Sequence, residues 1–270
     1  MTDGFRHDLH LHTGLSVCSP PDTRPADYAA LCAQEGLRVL GFSNHAYLPA
    51  VLEKRGHPGV TTAAYLSSLR PQLEEAASYG VRLLLGAEVE IFPRTGPSLP
   101  PEDAAGFDYV LLAASHIFNQ AWAYEGFDLS DADKVRRVLV DRFLAACRLR
   151  YPCPVGICHP LYPICCPWEQ EVVDGLSDAC LNECFSAARE AGFSIEIHVC
   201  LTRPGTARNE EGLSPSYLRL LAAAKACGCT FHFGSDAHTP GAFAGHHAPL
   251  WRAAELCGIT GEDLWPVAAG

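Results

Sequence analysis

Seven short apolar runs punctuate this chain, and helical patterns fill the stretches between them. The first lies within Arg6–Thr13. The others are Val39–Phe42, Val81–Leu85, Tyr109–Ala114, Pro154–Cys158, Phe193–Ile197 and Cys229–Gly234. Most are apolar throughout rather than alternating, as expected of strands covered on both faces. Strands that alternate with helices form a parallel sheet, either open or closed into a barrel. The helices are expected over Pro25–Glu35, with Pro at the first turn and Gly36 at the end, and over Thr62–Tyr79, broken at Pro71. A third is capped by Ser130, carries Asp131 and Asp133 in its first turn and runs to about Tyr151. Three more cover Ser177–Ala191, Ser214–Cys227 and Gly245–Cys257. The loop segment 46–60 separates the second run from its helix. No linker or repeat divides the chain, so residues 1–270 are expected to form a single domain, as α/β barrels of this size do.

The polar residues decide between an open sheet and a barrel. An open sheet gathers its ligand residues at one switch point, whereas every strand of a barrel opens onto one mouth. Here the run ends supply His10, His12, His45, Glu88, His116, His159, His198, Asp236 and His238. Residues i and i+2 of a strand share a face, so His10 and His12 project together. A single strand-end histidine is usually just a hydrogen-bonded polar group. A ligand candidate at every strand end is not explained that way, and a barrel with a metal-binding mouth is expected. Imidazole with carboxylate suits Zn, Mn or Fe. More than four ligands exceeds one tetrahedral ion, so two or three divalent ions are expected, with Glu88 able to bridge two.

Composition narrows the function further. A net charge of −11 argues against a nucleic-acid or membrane-surface binder, which needs Lys and Arg in excess. No apolar run approaches the roughly 20 residues of a membrane-spanning helix. The polar Met-Thr-Asp-Gly start carries no secretion signal. The 13 cysteines include no CxxC pair and lie mostly in apolar segments, so reduced thiols and a cytoplasmic location are expected.

Taken in order, His10-x-His12, Ser43-Asn44-His45, Gly86-Ala87-Glu88, Ser115-His116, His159-Pro160 and Gly234-Ser235-Asp236-Ala237-His238 resemble the motifs of the PHP (polymerase and histidinol phosphatase) family. The resemblance spans about residues 7–240. It implies a distorted (β/α)7 barrel with a trinuclear metal site at its C-terminal mouth. His10, His12, Glu88 and Asp236 would hold one ion, and Glu88, His116 and His159 a second. His45 and His238 would hold the third with a residue of the 18–22 loop, Cys18 or Asp22, because this chain lacks the histidine that many family members carry there. Asn44 also replaces the family's usual Asp. His198, two residues after Glu196, is expected to contact substrate rather than metal.

The chemistry implied is hydrolysis of a phosphate ester, a monoester of a small alcohol such as histidinol phosphate or a nucleotide. Two ions sharing a water would lower its pKa and clamp the attacking and leaving oxygens. Asp236 is a candidate base, and His238 or His198 could protonate the leaving alkoxide. Arg203 and Arg208 are candidate phosphate contacts. Two other readings compete: an amide or lactone metallohydrolase, and a non-catalytic metal-binding domain. Outside this set, His57 and His246-His247 are expected in solvent and His232 in the core. Trp122, Tyr124 and Phe127 form a packed lid or a substrate platform.

Overall fold

The computed structural model describes residues 5–57, 59–202 and 208–268. Seven parallel strands form one sheet in chain order: β1 (His7–Leu11), β2 (Val39–Phe42), β3 (Arg82–Phe92), β4 (Tyr109–Ala113), β5 (Val155–Ile157), β6 (Ser194–His198) and β7 (Thr230–Gly234). The outer layer includes α1 (Ala132–Ala146), α2 (Asp178–Ala191), α3 (Pro215–Ala226) and α4 (His247–Leu256). The sheet curls into a nearly closed distorted barrel, as expected.

Closure is where the distortion lies. Between β1 and β7 the backbone supplies one bridge, Leu11 to Ala237, with His12 N–H donating to the Ala237 carbonyl at 3.0 Å. Lower down, side chains of β1 replace the backbone acceptors. Phe233 N–H donates to His7 Nε2 at 3.0 Å, and Ser235 N–H donates to Asp8 Oδ1 at 3.2 Å. An imidazole can accept there only if that nitrogen is unprotonated. Burial, with His232 and His247 nearby, drives the His7 pKa down to about 3 and keeps the acceptor available.

β3, at 11 residues, is the strand that places the site. Its first half pairs with β2 (Val39 opposite Arg82) and its second half with β4 (Gly86 opposite Tyr109). β2 stops at Phe42, and the chain resumes as a two-residue strand, His45–Ala46, that pairs His45 with Glu88. The barrel floor is a separate apolar cluster of Leu9, Val39, Leu84, Tyr109, Leu111 and Trp265, among others. Tyr109 crosses it and donates its hydroxyl to the Leu9 carbonyl at 2.6 Å.

The helices differ from expectation in detail. The segment Pro25–Glu35 forms two short helices, Pro25–Ala29 and Cys32–Glu35. The 62–79 stretch breaks before Pro71 into Thr62–Ser67 and Arg70–Ala76. The segment expected as a loop after His45 contains a further helix, Pro49–Lys54. The cap of α1 is Asp131, which accepts from Lys134 N–H at 2.9 Å, and not Ser130. The Ser130 hydroxyl instead donates to Asp128 Oδ1 at 2.8 Å and accepts from Lys134 Nζ at 2.8 Å.

Gly86 tests the floor. A Cβ there would sit 2.3 Å from Tyr109 Cζ, a rigid ring with no room to retreat. Gly86→Ala is expected to destabilise the fold by about 1–3 kcal/mol, the usual cost of overpacking, measured by urea denaturation.

Candidate metal centre

Glu88 is fully buried, and five imidazoles surround it. Its Oε1 lies 2.9 Å from His159 Nε2 and 3.8 Å from His116 Nδ1. Its Oε2 lies 2.6 Å from His45 Nδ1, 3.5 Å from His10 Nε2 and 3.6 Å from His12 Nε2. Asp236 faces the same pair from β7's end, 3.0 Å from His12 Nε2 and 3.5 Å from His10 Nε2. His238 stacks on His12 with ring centroids 4.1 Å apart. The sequence-predicted residues His10, His12, His45, Glu88, His116, His159, His198, Asp236 and His238 are thus brought together at one mouth. His10 and Glu88 lie inside their strands rather than at their ends.

Hydrogen bonds behind the site fix which nitrogens face inward. His10 Nδ1 donates to Glu196 Oε1 at 2.7 Å, which leaves Nε2 with its lone pair toward the mouth. Ser16 donates its own proton to Asn44 Oδ1 at 3.0 Å and can therefore accept from His12 Nδ1, also at 3.0 Å. His12 Nε2 is freed in the same way. His159 Nδ1 bonds the Ser115 hydroxyl. Asn44, where the family usually has Asp, also accepts from Thr13 N–H at 2.7 Å and so holds the 13–16 loop to the mouth.

The fit to metal ions rests on atoms left without partners. His10 Nε2, His12 Nε2, His45 Nδ1 and Glu88 Oε2 are buried, converge, and make no hydrogen bond. Buried polar atoms are rarely left unpaired, and lone pairs aimed at one another repel unless a cation lies between them. Burial and the neighbouring His238 push His12 down to about 3, and burial and His116 push His159 to about 4. Both are therefore neutral, as ligands must be. Burial alone would raise the Glu88 carboxyl, but His45, His10 and His116 outweigh it and hold it well below its usual range. At His10, His45 and His116 the carboxylates in turn overcome burial and raise the pKa. The pocket recruits positive charge.

Several residues were not foreseen. Glu90 lies 2.9 Å from His116 Nδ1 and shares a face with Glu88. Glu196 orients His10 and accepts from His159 N–H at 2.6 Å. Burial would raise Glu196, yet His10 and His198 hold it at about 2. Cys158 stands within ligand reach of His10 and His159. Their signal was the period of two: Glu88-x-Glu90 and Glu196-x-His198 each put two polar side chains on one strand face.

Other expectations shift. Asp22 is exposed on the wall of a cavity of about 740 Å³ with Thr13 and Arg24, and it joins none of the ligand groups among the described residues. Cys18 is exposed as well and joins none of those groups either. Desolvation raises its thiol, but the influence of His238 and His45 brings it down to about 6. Arg203 lies outside the described residues. Arg208 is exposed, its guanidinium donating to the Thr202 carbonyl at 2.5 Å. His247, expected in solvent with His246, is buried. His232 is an interior residue bonded to Ser194 Oγ at 2.9 Å. Tyr124 is buried, while Trp122 is 57% exposed and packs on Phe92 with centroids 5.1 Å apart.

A family model described as PHP domain matches residues 8–199. The chain belongs to the PHP domain family. The match takes in β1 from Asp8 onward and the strands β2 to β6, while Asp236 and His238 follow beyond it. Among solved structures, the chain resembles histidinol phosphate phosphatase from Lactococcus lactis, solved with zinc, L-histidinol and phosphate, at TM-score 0.67 and 18% identity over 95% of both chains. It also resembles a Listeria monocytogenes protein assigned as a histidinol phosphatase, at TM-score 0.65 and 12% identity over 90% of this chain and 99% of that one. Comparison with curated proteins gives no match. Among the described residues, no helix is long and apolar enough to cross a membrane.

The ligand surplus makes metal content the first test. Protein purified without chelator is expected to carry more than one Zn, Mn or Fe per chain by elemental analysis. A single ion per chain after supplementation would rule out a multinuclear centre.

Proposed function

We propose that this protein is a metal-dependent phosphoesterase that hydrolyses the phosphate monoester of a small alcohol, such as histidinol phosphate or a nucleotide, at the barrel mouth. The observation that carries this reading is the buried Glu88 carboxylate, whose two oxygens face different imidazoles. Such a carboxylate could be shared by two ions. Membership of the PHP family supports it, as does likeness of fold to a phosphatase solved with zinc, L-histidinol and phosphate.

His10, His12, Glu88 and Asp236 would hold one ion, and Glu88, His116 and His159 a second, with Glu90 close enough to share in it. His45 and His238 would hold a third, with Cys18 as the loop donor. Such ions act as Lewis acids that activate water and neutralise phosphoryl charge. The 13 free cysteines fit a reducing compartment, and we place the protein in the cytoplasm.

The chain's own groups divide the remaining work. His198 Nδ1 accepts from Cys200 N–H at 3.1 Å, so a neutral His198 carries its proton on Nε2. That nitrogen is buried, has no hydrogen-bond partner and lies 3.5 Å from Asp236 Oδ2. It is therefore a donor, placed to hold a phosphate oxygen or to protonate the leaving alkoxide. His238 has the opposite tautomer. Its Nδ1 donates to the Asp236 carbonyl at 2.8 Å, leaving Nε2 as an acceptor. His238 thus fits the ligand role and His198 the acid. The Asp236 carboxyl is pushed up by burial but held well below its usual range by His10, His12 and His198. It stays ionised, as a metal ligand must, and is for the same reason a weak base.

A panel of phosphate monoesters assayed with Zn, Mn and Fe tests the reading, with phosphate release as the readout. Glu88→Gln is expected to lower turnover by orders of magnitude while the barrel stays folded by circular dichroism. Metal-loaded protein that cleaves amides or lactones but none of the esters would move the assignment to a metallohydrolase of that class.

A further inference from the structure

Behind the mouth lies a second buried charged group that takes no part in the chemistry above. His247, at the start of α4, is 1% exposed. Its Nε2 lies 3.0 Å from Asp8 Oδ2 and its Nδ1 3.2 Å from Glu35 Oε2. Ionised carboxylates only accept hydrogen bonds, so an imidazole bonded to one at each nitrogen carries both protons. Burial opposes that charge, but the hydrogen bonds and charges of Asp8 and Glu35 win and raise the His247 pKa. His7 faces it from β1 and is held neutral, while Phe243 and Trp251 wall its ring at 4.9 and 6.1 Å between centroids.

The other ends of these carboxylates show what the group holds. Asp8 Oδ1 accepts from His10 N–H at 3.0 Å and from Ser235 N–H at 3.2 Å. One oxygen thus ties the backbone of His10 to the residue preceding Asp236, across the seam where the backbone ladder between β1 and β7 is missing. Glu35 Oε1 accepts from Gly245 N–H at 3.0 Å, which fixes the turn leading into α4.

We propose that Asp8, His247 and Glu35 form a positioning relay that sets the spacing of His10 and Asp236 and thereby the metal affinity of the mouth. The relay rests on reading the mouth as a metal centre. His247 acts as a strut: it neutralises Asp8 and fixes the carboxylate plane, so that Oδ1 stays turned to the two backbone donors. Without the strut, Asp8 is a buried carboxylate free to rotate away from the seam. The His10 and Asp236 side chains then lose the fixed separation that an ion requires. Groups that orient ligands in this way are commonly worth about ten- to a hundredfold in metal affinity.

Two substitutions separate positioning from simple packing. Glutamine places a side-chain nitrogen where Nε2 was, and so keeps a donor to Asp8. Asparagine places one where Nδ1 was, and so keeps only the arm to Glu35. Zinc affinity is measured by titrating chelator-stripped protein against a chromophoric competitor, and the stability of the stripped protein by thermal unfolding. His247→Asn is expected to weaken zinc binding about ten- to a hundredfold, and His247→Gln to recover most of that loss, although both lower apo stability. Zinc affinity unchanged in His247→Asn, or weakened equally in both variants, overturns the relay. Should His247→Asn not fold, Glu35→Gln removes charge from the partly exposed outer end and must weaken zinc in the same direction; an unchanged affinity there overturns the relay too. A parent protein that binds no zinc would overturn the metal-centre reading itself.

Discussion

A carboxylate sealed from water is the constraint around which this molecule is built. Removing an ion of that size from solvent costs several kcal/mol even after the protein relaxes, and among the described residues no lysine or arginine pairs with Glu88 to offset that cost. It has imidazoles instead, five within 4 Å. Imidazoles can compensate a carboxylate in two ways, by taking up protons or by sharing cations with it. The carboxylates around His10, His45 and His116 raise their pKa values against the effect of burial, the direction of the first. The neutral His12 suits the second, because its unpartnered Nε2 already points inward.

Holding such a group requires a backbone that does not relax away from it. Asp236 and His159 both take positive φ, at 54° and 32°, a region that costs a non-glycine residue energy. Each is pinned from behind. Glu196 receives the His159 N–H, and Asp8 receives the Ser235 N–H next to Asp236. The same two carboxylates also hold His10, Glu196 through its ring and Asp8 through its backbone. His10 is therefore fixed from two sides by groups that also fix its neighbours.

Much of this was legible in the chain. Apolar runs alternating with helical patterns are the direct trace of a parallel sheet, and a His, Glu or Asp near every strand end leaves little but a barrel mouth. What could not be seen followed from contacts distant in sequence. His247 pairs with Asp8 across 239 residues and with Glu35 across 212, so locally it resembles its solvent-facing neighbour His246. Glu90 was hidden by where β3 ends: a strand assigned to the apolar run Val81–Leu85 is weighted toward its floor, whereas the pairing carries it on to Phe92. Asp22 and Cys18 sit four residues apart in one polar loop. The fold of that loop, tied by Gly14 N–H to the Thr23 carbonyl at 2.9 Å, leaves both exposed and brings the influence of His45 and His238 to bear on the Cys18 thiol.

Seam and site share the same residues. In a barrel whose ladder is complete, closure and chemistry can be tuned independently, because the backbone performs the first. Here the seam between β1 and β7 is closed largely by His7 and Asp8, side chains on the strand that carries His10 and leads into His12. A substitution that loosens closure therefore also moves the candidate ligands, and an ion held by His10, His12 and Asp236 would also tighten the seam. By linkage, whatever binds the closed barrel and not the unfolded chain stabilises it. Metal binding in this chain should thus be felt as barrel closure as well as catalytic competence.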